Sequence, residues 1–171
     1  MLRIIGALLV AGGMASAGIM AVWRMGERVR ALSGMVAALD IIQTEISFRL
    51  TSIPDIIDML AAGFPPPISS LFTDCQKNIG RLGELPFSAI WAKSVKSFSE
   101  GTFKPRERET LLELGNVLGR YDSDGQTQAI SYARRRFEGF LQNAEEEKSR
   151  QGKVYGALGI ASGAAAMIVL I

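Results

Sequence analysis

No charged residue occurs between Ile4 and Trp23 or between Val154 and Ile171, whereas every acidic residue, from Glu27 to Glu147, lies between those two stretches. As helices the two stretches would rise about 30 Å and about 27 Å, close to the thickness of a bilayer's hydrocarbon core. That pattern partitions the chain into a transmembrane helix at 4–23, a water-soluble domain at 24–153 and a second transmembrane helix at 154–171. Arg24, Arg28 and Arg30 follow the first stretch, and Lys148, Arg150 and Lys153 precede the second. Both inner flanks are basic, so the positive-inside bias predicts a central domain in the cytoplasm of a membrane-anchored protein. A rival reading takes Met1-Leu2-Arg3 and the run to Ala15-Ser16-Ala17 as a secretory signal. Cleavage near Ala17 would then release an exported helical binding module. The apolar run continues to Trp23 and stops at arginines, which favours the retained anchor.

The domain between the two stretches has about 130 residues, the size of one compact unit. The formal net charge is only +2, with basic and acidic residues interspersed, so no nucleic-acid partner is expected. The chain contains no histidine and a single cysteine, Cys75. Histidine acid–base chemistry, histidine metal sites and intrachain disulfides are thereby excluded. No Walker A, G-x-G-x-x-G, G-x-S-x-G or paired C-x-x-C pattern is present. Neither an enzyme nor a cofactor or metal site is expected, and neither apolar stretch holds a charge that would suit an ion pathway.

Helical periodicity runs through the whole central domain. Val29, Leu32, Val36, Leu39, Ile42, Ile46 and Leu50 recur at spacings of three and four, which defines one buried helical face. Thr51-Ser52 ends that helix and caps a short second one, with Pro54 and Asp55 in its first turn and Ile56, Ile57, Leu60 and Ala61 on its apolar side. A third helix is predicted over Ile68 to Leu82, burying Ile68, Leu71, Phe72, Cys75 and Ile79. A fourth opens at Pro86, with Phe87, Ile90, Trp91, Val95 and Phe98 inward. A fifth runs from Lys104 to Tyr121, carrying Leu111, Leu112, Leu114 and Leu118. Asp122-Ser123-Asp124-Gly125 reads as a turn, and a sixth helix begins near Gln126, with Ile130, Ala133, Phe137, Phe140, Leu141 and Ala144 on its buried side. No sustained period-two alternation calls for a strand. The expected fold is all-α, an antiparallel bundle of about six helices flanked by two transmembrane helices.

Three clusters stand out on that framework. Arg134, Arg135 and Arg136 fan over about 200° of a helix, so they offer either a solvated face paired with acids such as Glu138 or a docking surface. Arg106, Glu107, Arg108 and Glu109 alternate in sign at a helix start and form a second candidate docking surface. Glu145, Glu146 and Glu147 point in different directions and read as a solvated face. Gly115 and Gly119 would let another helix approach closely, either inside the bundle or in a protein–protein contact. Gly159 and Gly163, like Gly12 and Ser16, make small-x-x-x-small patterns suited to helix packing in a membrane.

The order of these features is familiar. Met1 to Ala7, Arg30-Ala-Leu, Ala38 to Ser47, Leu71-Phe72, Leu114 to Gly119 and Tyr155 to Gly159 together resemble the stage III sporulation protein AB family over essentially the whole chain. A more distant likeness is to the cytoplasmic helical domain of type II secretion and type IV pilus platform proteins. There, too, a Gly-x-x-x-Gly segment, an acidic turn and a long helix lead into the membrane. The resemblance implies a platform or assembly subunit of the transenvelope complex joining mother cell and forespore. Its expected partners are the lipid bilayer, the ATPase of that system (stage III sporulation protein AA) and other subunits of the complex, with a homo-oligomer possible. The single helical domain, where the platform proteins have two, raises the question of dimerisation.

Overall fold

In this computed structural model the backbone is described for residues 2–99, 101–119 and 123–170, and side chains for residues 20, 22–98, 101–119, 124–152 and 154. Among the described residues there are six α-helices: α1 Leu2–Thr44, α2 Ile53–Gly63, α3 Ile68–Ile79, α4 Phe87–Ser99, α5 Pro105–Val117 and α6 Ser123–Leu170. No β-strand occurs among the described residues, so the chain is all-α. Its contacts divide it into two units, Met1–Val29 with Gln142–Ile171, and Arg30–Leu141.

In the unit Arg30–Leu141, α1 presents Ala31, Leu32, Met35, Ala38, Leu39 and Ile42 to the core, each at most 2% exposed. Gly34 lets Ile68 of α3 come so near that a Cβ at that position would lie 2.8 Å from Ile68 Cγ1. Ser52 accepts a hydrogen bond from the Asp55 N–H, and Pro54 occupies the first turn of α2, where its missing N–H costs nothing. α2 packs on α3, α3 on α4 and α4 on α5. Trp91 is the largest buried side chain; its ring centroid lies 6.1 Å from Phe72 and 6.0 Å from Phe87. Phe103 links α6 to this core, 5.8 Å from Phe137 and 5.4 Å from Phe98. Ser47–Thr127, at 2.9 Å, joins the end of α1's path to α6.

Four expectations are corrected. After Thr44 the chain makes a π-helical turn, Glu45–Arg49, and Leu50 is 77% exposed instead of closing the buried face. A π turn advances each residue by a smaller angle than an α turn, so positions beyond Ile46 rotate off the stripe. Helix α3 stops at Ile79, not Leu82, because residues 80–86 form successive turns around Gly83 at φ +106°. Helix α5 stops at Val117, not Tyr121, because Gly119 takes the left-handed conformation, φ +79°, that ends helices. The expected turn at 122–125 is instead the start of α6 from Ser123 onward; Asp122 lies outside the described residues. Ser and Asp favour helix starts and turns for the same reason, their side chains bonding nearby N–H groups.

In the other unit, Arg28 donates to Glu147 at 3.1 Å, an ion pair between α1 and α6. Ala144 is buried there. Both charge-free stretches are helical over their described backbone, residues 4–23 within α1 and 154–170 within α6. Among the described side chains, Val22–Arg49 is the one stretch long and apolar enough to cross a membrane, with mean hydropathy 1.2. From Ala31 onward that apolarity belongs to the core of the bundle, whose side chains it fills.

Candidate docking surfaces

The charged clusters separate once their neighbours are known. Glu107 is 1% exposed, and its carboxylate accepts the Lys104 N–H at 2.7 Å at the start of α5. It therefore secures the helix's first turn, and the docking surface loses it. Arg134 donates to Glu138 at 2.9 Å and lies 3.8 Å from Asp40. Arg136 donates to Glu113 of α5 at 3.0 Å, with its guanidinium 5.7 Å from the Tyr132 ring and 6.0 Å from that of Phe140. Steps of 100° send Arg134 and Arg136 to opposite flanks of α6 and leave Arg135 facing outward. Arg106, Glu109 and Arg135 are exposed and Arg108 half-exposed, and none of the four makes an ion pair among the described residues.

Gly115 and Gly119 do different work. A Cβ at Gly115 would lie 2.1 Å from Trp91 Cδ1, so the bare Cα forms a notch that admits the indole. Through it the indole N–H reaches the Leu111 carbonyl one turn earlier, at 2.6 Å. Gly119 lies beyond the helix, where its positive φ is the requirement and the nearest atom to a Cβ is 3.8 Å away. The packing of Gly159 and Gly163 lies outside the described side chains.

A further surface was not apparent from periodicity. Glu45 is 7% exposed, and its carboxylate accepts from Arg49 Nη1 at 3.1 Å and Thr51 Oγ1 at 2.7 Å. Its carbonyl accepts the Thr51 N–H at 3.1 Å. These bonds close the π turn and hold Leu50 at φ +53°, a left-handed conformation costly for a leucine. Phe48, 83% exposed, stands beside it. Phe48 sits about 200° from Ile46 on a helical wheel, the one sequence sign that it faces outward. Three residues on, Ile53 and Pro54 begin the wall of an open groove of about 510 Å³, continued by Leu82, Leu85, Pro86 and Phe87. Gly83 and Gly119 border it without side chains.

Cys75 offers no accessible chemistry. It is fully buried, and loss of solvation raises its thiol from 9.0 to about 12, with Asp74 adding to the rise and Ser94 opposing it. A neutral thiol thus stabilises the fold fully below pH 9.0, and that contribution is lost as pH rises through about 12. The thiolate fraction near neutrality is lower than that of a free cysteine by roughly a thousandfold. Alkylation of Cys75 at pH 8 is expected to be at least about a hundredfold slower in the folded chain than in urea. Equal rates would show an open core. Among the described residues, no group of His, Cys, Asp and Glu is placed to hold a metal.

The bundle's architecture has a counterpart among known proteins, and the match extends along nearly the whole sequence. The family model for stage III sporulation protein AB matches residues 3–171. The chain belongs to the stage III sporulation protein AB family. Stage III sporulation protein AB of Bacillus subtilis (strain 168) is 24% identical over 172 residues, spanning all of both chains. A solved structure of a stage III sporulation protein AB superposes with a TM-score of 0.66 at 26% identity, covering 72% of this chain and 98% of its own. Membership of this family makes the chain a sporulation protein, and its apolar N-terminal helix fits association with a membrane.

Proposed function

We propose that this chain is a non-enzymatic platform subunit of the sporulation complex between mother cell and forespore, anchored in the membrane at 4–23 and 154–171. Its helical domain faces the mother-cell cytoplasm and docks the ATPase of that system. Family membership and the two charge-free helical stretches support the setting. The basic flanks at Arg24, Arg28, Arg30, Lys148, Arg150 and Lys153 support the orientation.

The observation that carries ATPase docking is a set of charges on one pair of helices with no ion pair among the described residues. Arg106, Arg108, Glu109 and Arg135 lie on α5 and α6, adjacent helices joined by Arg136–Glu113. Charges left solvated on a folded surface contribute to encounter and register with a partner more than to stability. Arg108→Glu with Arg135→Glu is expected to change stability by less than about 0.5 kcal/mol each. The same pair is expected to weaken ATPase recruitment to membranes holding the chain by about tenfold or more, with the parent's recruitment itself falling as salt rises. Recruitment by the reversed variant equal to the parent's would refute docking through this face.

A further inference from the structure

Two helix faces meet where the first charge-free stretch ends. Val22 and Val29, two turns apart on α1, and Glu145, Lys148, Ser149 and Gly152, on one side of α6, line an open cleft of about 560 Å³. That volume falls in the range of small-ligand sites. The two helices run antiparallel here. Arg28 bonds Glu147 at 3.1 Å, and the Lys148 ammonium lies against Gly26, 3.8 Å from where a Cβ would stand. Counted from that level, Val22 and Gly152 share one end of the cleft, and Val29 and Glu145 share the other, about 10 Å along the axis. Met20, Trp23 and Val154 lie within two residues of the Val22–Gly152 end, and all three are exposed. Exposed tryptophan at the end of a membrane segment marks the level where hydrocarbon gives way to headgroups. Going away from that level, the cleft wall offers the Ser149 hydroxyl and the Lys148 ammonium, then the Glu145 carboxylate one turn further on. Glu145 and Lys148 have a spacing at which such side chains commonly pair, yet neither makes an ion pair among the described residues.

We infer that this cleft holds one phospholipid whose headgroup ends in a primary amine, a phosphatidylethanolamine. Its phosphate accepts from the Lys148 ammonium and the Ser149 hydroxyl. Its own ammonium, carried on a two-carbon arm, donates to the Glu145 carboxylate one turn further from the membrane. The first methylenes of one acyl chain lie over Val22 and Gly152, where a Cβ would have no atom within 4 Å and the space is open. The order of charges selects the headgroup. Purely basic pockets beside membrane helices take anionic headgroups, but here an anionic headgroup would leave Glu145 facing negative charge. Choline carries a cation without an N–H, so it cannot make the charge-assisted hydrogen bond to that carboxylate. Headgroup depth rests on the membrane-anchored reading; the cleft and its charge order stand without it.

The test uses the full-length chain, purified in detergent and stripped of lipid. It is titrated separately with dioleoyl phosphatidylethanolamine, phosphatidylcholine and phosphatidylglycerol, and the lipid-bound fraction is read by native mass spectrometry. The ethanolamine lipid is expected to bind at least about fivefold more tightly than either of the others. Glu145→Lys with Lys148→Glu keeps the composition and reverses the charge order. That pair is expected to melt with the parent and to lose the preference. Gly152→Leu fills the open end of the cleft and is the better helix former. It is expected to melt no lower than the parent and to bind all three lipids at least about fivefold more weakly. A parent that binds either other lipid as tightly, a reversed pair that keeps the preference, or a Gly152→Leu chain that binds like the parent would each overturn the site. Carbonate extraction of membranes holding the chain reads the anchor separately. A released chain that still prefers the ethanolamine lipid sinks the anchored platform and leaves the cleft standing, whereas a retained chain without the preference does the reverse.

Discussion

Gly115→Ala is expected to melt about 10 °C below the parent, although alanine is the better helix former. The added Cβ would sit 2.1 Å from Trp91 Cδ1 and 3.0 Å from Nε1, so the indole must move. It has nowhere to go. Trp91 is 1% exposed, held between Phe72 and Phe87, and its N–H is committed to the Leu111 carbonyl at 2.6 Å. Overpacking costs about 1–3 kcal/mol and a buried donor without its acceptor a similar amount, against about 1 kcal/mol regained from helix propensity. The clash wins by about 1–5 kcal/mol, centred on about 3. Thermal unfolding followed by circular dichroism measures it. Trp91→Phe in the alanine background, by shrinking the ring, is expected to restore part of the loss, giving a coupling opposite in sign to simple addition. If Gly115→Ala melts with or above the parent, the notch is not needed.

That notch illustrates how far residues alone lead. Gly115 and Gly119 were legible as an unusual pair in a helix, because glycine is costly there. What each glycine admits was not. Trp91 meets Gly115 from another helix, and Gly119 turned out to be a helix terminator, a role set by the backbone after α5. Local signals served well where the decision was local: Ser52 and Pro54 start α2, and the Leu32–Leu39–Ile42–Ile46 stripe is buried. They failed where one element's fate depended on another. Arg134 and Arg136 look like Arg135 in sequence, yet Asp40, Glu138 and Glu113 take up two of the three. Glu107 looked like a surface charge because nothing in its spacing revealed that the Lys104 N–H would claim it. The π turn was invisible for the same reason: a strict three-and-four pattern runs on to Leu50, and only a buried carboxylate interrupts it.

Removing that carboxylate is the second large effect. Glu45→Ala is expected to cost about 2 kcal/mol and to lower the melting temperature by about 5–10 °C. The estimate is bounded on both sides. Both lost bonds are accepted by a carboxylate and so are charge-assisted, which argues for more; but Arg49, at 70% exposed, returns to water at little cost, which argues for less. The decisive readout is local. Without the carboxylate, α-helical hydrogen bonding can continue through residue 49, and Leu50 rotates back toward the stripe that its spacing from Ile46 prescribes. The Thr51 N–H, now bonded to the Glu45 carbonyl at 3.1 Å, loses protection, so its hydrogen exchange is expected to accelerate well beyond that of Leu60 in mid-helix α2. Glu45→Gln, which keeps an acceptor for Thr51, falls between alanine and the parent. Leu50→Gly, which relieves the left-handed strain, is expected to stabilise the parent, and that gain vanishes in the Glu45→Ala background, where the turn no longer forces residue 50 to positive φ. Additive effects of the two substitutions would mean that something other than Glu45 holds the corner.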